Sequence, residues 1–202
     1  TTTIPAGWSR RMARAMSTIP EHGARMRDAR VAVVGSFNVD HVWRVASLPQ
    51  PGATLSGDYA SGPGGKGFNQ AMAACRAGAT TVFVCALGED NGAQLARALC
   101  VGDGIDLRDF ACDAPTGTAG IYVDANGRNE IVVAPGANAR LEAGFVESIL
   151  AALPPPAVVL AQLESPPETV AAALRCGRER GATTLLNPAP ANVAVPGALL
   201  AL

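Results

Sequence analysis

Histidine, aromatic residues and long apolar runs are all scarce in this chain of 202 residues. His22 and His41 are the only histidines, and no second type of metal ligand clusters with either, so neither a histidine-based triad nor a zinc centre is indicated. Aromatics make up 4% of the chain, which gives no base-stacking platform for nucleic acid. No apolar run approaches the ~18 residues of a membrane span. Cysteine is present but unpatterned: Cys75, Cys85, Cys100, Cys112 and Cys176 are odd in number and show no C-x-x-C spacing. A disulfide framework is therefore not expected, and reduced thiols in a cytoplasmic protein fit best.

Charged residues are also sparse, at 16%, against 49% hydrophobic, enough to build a substantial core in one domain or one and a half. The charge is uneven. Residues 1–30 hold six of the sixteen Lys and Arg but two of the seventeen Asp and Glu, a net +4 against −5 for the rest. Pro5, Gly7, Pro20 and Gly23 interrupt any long amphipathic helix there. We read 1–30 as a disordered or mis-annotated leader, in preference to a targeting peptide, and 31–202 as the folded part.

What the chain has in abundance is glycine, concentrated in Gly62-Pro63-Gly64-Gly65-Lys66-Gly67-Phe68-Asn69. Glycines without Cβ allow close main-chain approach, and a helix start presents unsatisfied N–H groups. A P-loop does not fit, because Ala60 and Gly67 stand where Gly and Ser or Thr are needed. A dinucleotide fingerprint fits Gly62, Gly64 and Gly67, but the stretch does not follow the first apolar run, Val31–Val34, as that motif must. A small polar ligand remains the better reading, with Lys66 and Asn69 on one helical face.

Along the chain, strands are expected at Val31–Gly35, Thr81–Ala86, Leu107–Ala111, Val158–Gln162 and Thr183–Leu186. Helices are expected at Lys66–Ala77, Asn91–Cys100 with Asp90 as N-cap, Glu142–Leu153 and Glu168–Arg180. This alternation predicts an α/β fold. Two shorter, more polar strands, His41–Val45 and Thr54–Ala60, and a hairpin of Thr118–Val123 with Glu130–Val133 predict a small lid sheet near 41–60 and 118–133. Asn126-Gly127 is a type I′ turn signal for that hairpin.

Gly64, Gly65, Gly67, Asn69, Ala71, Gly78 and Gly88 fall in the register of a family signature. Gly35-Ser36-Phe37-Asn38-Val39-Asp40, Pro135-Gly136-Ala137-Asn138, Gln162-Leu163-Glu164-Ser165-Pro166 and Asn187-Pro188-Ala189-Pro190-Ala191 add local runs. On these residues, 31–202 resembles the N-terminal part of the ribokinase-like carbohydrate kinase family, which also takes in adenosine kinase and bacterial fructokinases. The resemblance implies a three-layer α/β/α fold with a β-sheet lid, truncated before its C-terminal half.

It also implies that Asn38 and Asp40 bind sugar hydroxyls and that Gly64, Gly65, Lys66 and Asn69 line the same pocket, with backbone N–H, ammonium and amide groups as donors. Glu164 would be a further sugar contact. Phe68, in a slot often held by alanine, is expected to alter pocket width or lid packing. Local readings stand beside these: Asn38 and Asp40 closing a turn, Lys66 on a solvated helix start, Glu164 capping the helix after Pro166-Pro167, and Asp103 in a turn.

The implied activity is transfer of phosphate from ATP to O5 of D-ribose, with Mg2+ and a monovalent cation such as K+, in a homodimer formed through the lid. The family's catalytic base lies in a Gly-Ala-Gly-Asp run, which is absent from residues 1–202. The chain by itself is therefore expected to be inactive and poorly soluble, with an uncovered core face near Leu186. A non-catalytic sugar-binding or dimerising module, or part of a related fructokinase or nucleoside kinase, is the alternative.

Overall fold

The computed structural model describes residues 29–191 and 195–202, so the reading of 1–30 as a leader falls almost wholly outside the described residues. Nine strands and four α-helices are found among them. A five-stranded parallel sheet has the order β5-β4-β1-β8-β9, formed by β1 (Arg30–Val34), β4 (Thr80–Leu87), β5 (Asp106–Ala111), β8 (Val158–Gln162) and β9 (Thr183–Asn187). Each central strand alternates its side chains between two cores, as the strand's two-residue period requires. Val33 of β1 and Phe83, Cys85 and Leu87 of β4 meet α1 (Lys66–Arg76) and α2 (Asn91–Asp103) on one face. Ala32, Val34, Val82 and Val84 meet α3 (Ala143–Ala152) and α4 (Pro167–Glu179) on the other. Three layers result, because a parallel sheet hides both faces.

The second sheet has four strands in the order β3-β2-β6-β7, from β2 (Asn38–Arg44), β3 (Asp58–Gly64), β6 (Gly117–Val123) and β7 (Asn129–Ala134). Strands β2 and β6 run parallel, and the two outer pairs are antiparallel. Two of the differences from the expected bounds bear on the site. Strand β2 begins at Asn38 rather than His41, which puts Asn38 and Asp40 in the lid sheet and not in a turn. Strand β3 lies four residues later than 54–60 and uses Gly62-Pro63-Gly64 as its last part. It is an edge strand with mostly exposed side chains, and an edge tolerates proline because one row of N–H groups has no strand to bond.

The hairpin forms where expected, but its turn is not type I′. That type needs positive φ at two central residues, whereas Gly127 is left-handed at φ 78° and Asn126 is not. Asp124 organises the five-residue connection instead. Its main-chain N–H donates to Arg128 O at 2.9 Å, and its Oδ1 accepts Asn126 N–H at 2.9 Å and Arg128 N–H at 3.0 Å.

Asp103 is the last residue of α2 rather than part of a turn, and Cys75 Sγ donates to its carbonyl at 3.1 Å. The core face expected to be bare near Leu186 is covered in part. Leu199, 4% exposed in a 3₁₀ turn (Gly197–Ala201), packs with Ala161, Leu163, Val170 and Leu174, and Leu186, Val195 and Leu202 border that cluster.

Candidate functional site

The glycine-rich stretch ends β3 and starts α1, and its closest approaches are to the protein itself. A Cβ on Gly65, whose φ is 91°, would stand 2.7 Å from Ser36 O and 2.9 Å from Asn38 N. One on Gly67 would come 2.5 Å from Ser36 N. The helix start is thus seated against the β1–β2 connection. Its first N–H groups are all taken: Lys66 N–H by Glu164 Oε2 at 2.9 Å, Gly67 N–H by Ser36 Oγ at 3.4 Å, and Phe68 N–H by Ser36 O at 2.9 Å. The expectation that these helix-start donors face a ligand is corrected, since a half-buried carboxylate and a serine already satisfy them.

Glu164 follows β8 and does not cap α4, which begins after Pro166 without a side-chain cap. It also accepts the Ser36 hydroxyl at 2.5 Å and lies 3.5 Å from Lys66 Nζ through its second oxygen. Lys66 is therefore ion-paired rather than freely solvated. The pair, half-buried at the α1 N-terminus, places a negative charge where the helix dipole favours one.

Asn38 and Asp40 lie two apart on one face of β2, so both point to the same side of the lid. Space for each is made by glycine on a neighbouring strand. A side chain on Gly64 would occupy the place of the Asp40 carboxylate, and one on Gly117 would overlap the amides of Asn38 and Asn138. Burial pushes the Asp40 carboxyl above its ordinary range, the negative charge of Glu164 adds to this, and His41 opposes it. No protein donor bonds Asp40 among the described residues.

These groups converge on one cavity of about 790 Å³ between the lid and the carboxyl ends of the parallel strands. Six of the seven residues singled out from the sequence line it: Asn38, Asp40, Gly65, Lys66, Asn69 and Glu164. Gly64 does not, and acts by making room behind Asp40. Phe68 is also absent from the wall. It is 3% exposed in the core, its ring 5.2 Å from Phe37 in a T-shaped pair, so it does not set pocket width. Apolar residues complete the lining: Ala119, Ile121, Ile131 and Val133 continue the lid face beside Asn38 and Asp40, and Leu163 and Pro166 flank Glu164. Ser36 and Asn138 join the site's framework in addition to the expected residues, and the sequence signal for them is their place in the runs Gly35–Asp40 and Pro135–Asn138.

Comparison with known proteins gives a consistent result. The chain is 41% identical over 167 residues to the bifunctional ribokinase/ribose-5-phosphate isomerase A of Fructilactobacillus sanfranciscensis, covering 81% of this chain and 31% of that protein. It is 37% identical over 166 residues to the ribokinase of Haemophilus influenzae, covering 81% of this chain and 54% of that one. The solved structure of Arabidopsis thaliana ribokinase complexed with ribose and ATP superposes with a TM-score of 0.70 at 27% identity, over 86% of this chain and 57% of that chain. The chain thus spans about half or less of these proteins' lengths. A model of the pfkB family carbohydrate kinases matches residues 28–202, and the chain belongs to that family.

Proposed function

We propose that the cavity is the acceptor-sugar site of a ribokinase-type kinase, whose reaction is phosphorylation of D-ribose at O5 by ATP. The observation that supports this reading is the convergence of Asn38, Asp40, Lys66, Asn69 and Glu164 on one cavity from three separate parts of the chain: β2, the start of α1 and the segment after β8. Asp40, without a protein donor, accepts hydroxyl hydrogens. Asn38, Asn69 and the Lys66 ammonium donate to hydroxyl oxygens, and the aliphatic lid wall covers the C–H face of the sugar and excludes water. Phosphoryl transfer depends on positioning and charge stabilisation, and this set supplies the positioning of the acceptor.

At the α1 N-terminus the donors are already taken, Lys66 N–H by Glu164 Oε2, so this helix start is assigned to holding Glu164 and not to a phosphate. ATP with Mg2+, and a cation such as K+, belong in this proposal to groups outside residues 29–202. The chain as given binds sugar without transferring phosphate. The proposal also includes a cytoplasmic homodimer through the lid's outer face, where His41, Trp43, Tyr59 and Tyr122 stack beside exposed Val132.

Titration calorimetry with D-ribose tests the site. Asp40→Ala should weaken binding roughly ten- to a hundredfold, about 1.5 to 3 kcal/mol for lost charged hydrogen bonds. An unchanged Kd removes Asp40 from the site, and ribose 5-phosphate made from ATP by the pure chain refutes its inactivity.

A further inference from the structure

Asn138, 2% exposed, lies in the 3₁₀ turn Gly136–Arg140, 100 residues from Asn38 in sequence. Its side-chain amide is held in one sense. Oδ1 accepts Phe37 N–H at 3.0 Å, and Nδ2 donates to Phe37 O at 3.0 Å. Main-chain groups have a fixed donor or acceptor character, so turning this amide over would set donor against donor and acceptor against acceptor. The remaining Nδ2 hydrogen meets Asn38 Oδ1 at 2.8 Å. The Asn38 oxygen is thereby committed to Asn138.

Its nitrogen is committed to nothing among the described residues. Asn38 Nδ2 has no protein acceptor there, and it is not one of the fully buried side-chain atoms without a partner, so it keeps access to the cavity that Asn38 lines. We infer that Asn138 is a positioning residue that fixes Asn38 as a hydrogen-bond donor to the ligand. The cavity then offers a donor at Asn38 and an acceptor at Asp40, two residues along the same face. A polyol meets this pair with one hydroxyl oxygen accepting and one hydroxyl hydrogen donated. Gly117 is part of the device, because any side chain there would overlap both amides.

The inference rests on the acceptor-site reading, but its first test does not need a sugar. In 15N-labelled protein without ligand, the side-chain amide hydrogens of Asn138 should exchange with solvent at least about tenfold more slowly than those of Asn38, since both are donated and buried. Protected Asn38 hydrogens, or equal rates at the two sites, overturn the assignment. A second test uses Asn38→Asp, which keeps an acceptor for Asn138 but turns the cavity-facing donor into an acceptor. Exchange at Asn138 should stay slow while ribose affinity falls about thirtyfold or more, as expected when a ligand oxygen loses its donor and meets a carboxylate. Undiminished affinity overturns the donor role. If the unaltered chain binds no sugar, the acceptor-site reading fails, and the exchange rates still decide the amide orientation.

Discussion

The Glu164 carboxylate accepts the main-chain N–H of Lys66, the first residue of α1, at 2.9 Å, and its other oxygen lies 3.5 Å from Lys66 Nζ. One side chain from the end of β8 thus ties down the helix start that carries Lys66 and Asn69. It also sets the charge that Asp40 faces. The glycine-rich stretch is shaped to receive this carboxylate, which is why it does not serve as a phosphate cradle.

Glu164 should tune the pH dependence of sugar binding through Asp40. The Asp40 carboxyl is raised above its ordinary value of 3.8, first by burial and then by Glu164. If the ligand needs the carboxylate, affinity falls as pH drops through that raised value. Glu164→Gln keeps an acceptor for Lys66 N–H but removes the negative charge, so the midpoint of the fall should move to lower pH. Calorimetric Kd values between pH 4 and 8 check this, and a midpoint that stays put or rises contradicts the coupling.

Gly64→Ala should separate binding from folding. The new methyl overlaps the Asp40 carboxylate, while Gly64 has no left-handed φ that alanine would strain. We expect ribose affinity to fall about tenfold or more through lost hydrogen bonds, with cooperative unfolding retained. Binding at the level of the unaltered chain would show that Asp40 is not the acceptor.

Asp90 anchors the approach to the lid. Its carboxylate caps α2 by accepting Ala93 N–H at 2.9 Å and takes both the N–H and the hydroxyl of Thr116 at 2.7 Å, just before β6. Asp90→Ala should cost about 3 kcal/mol or more at pH 7, through loss of one cap and the two charged bonds from Thr116. Burial raises the Asp90 pKa, but the bonds from Thr116, Ala93 and Gly92 outweigh it and leave the pKa lowered. The stabilisation is therefore present above the unfolded value of ~3.9 and is lost as pH falls through the lower folded one. Urea unfolding of both proteins should give a gap at pH 7 that closes in strong acid, and a gap independent of pH would assign the loss to packing.

The lid's outer face can be tested at Val132, which is 71% exposed on β7. Val132→Glu adds charge without disturbing the core, so it should leave unfolding unchanged and convert a dimer to a monomer in sedimentation velocity. A monomer before substitution, or a dimer that survives it, argues against pairing through this face.

The central parallel strands β1, β4 and β8 were legible because each is an apolar run buried within the sheet, and alternate residues such as Phe83 and Val84 simply go to opposite cores. The cap at Asp90 was equally readable, since capping is a local bond three residues long. Strand β3 was misplaced because an exposed edge carries no apolar alternation, and Gly62-Pro63-Gly64 reads as a loop in isolation. The turn at Asn126-Gly127 followed the same logic: Asp124 captures three N–H and guanidinium groups and overrides the dipeptide's own preference.

Residue types and their spacing, which the chain itself determines, bring forward Lys66 and Asn69 on one helical face, and the resemblance carried by the sequence runs adds Asn38, Asp40 and Glu164 as candidates for the same site. What each of them does there was decided by tertiary structure. Ser36 meets Glu164 across 128 residues and Asn138 meets Asn38 across 100, distances over which no periodicity or motif specifies a hydrogen bond. Only the folded sheet brings those groups within 3 Å, and that contact determines which donors remain for a ligand.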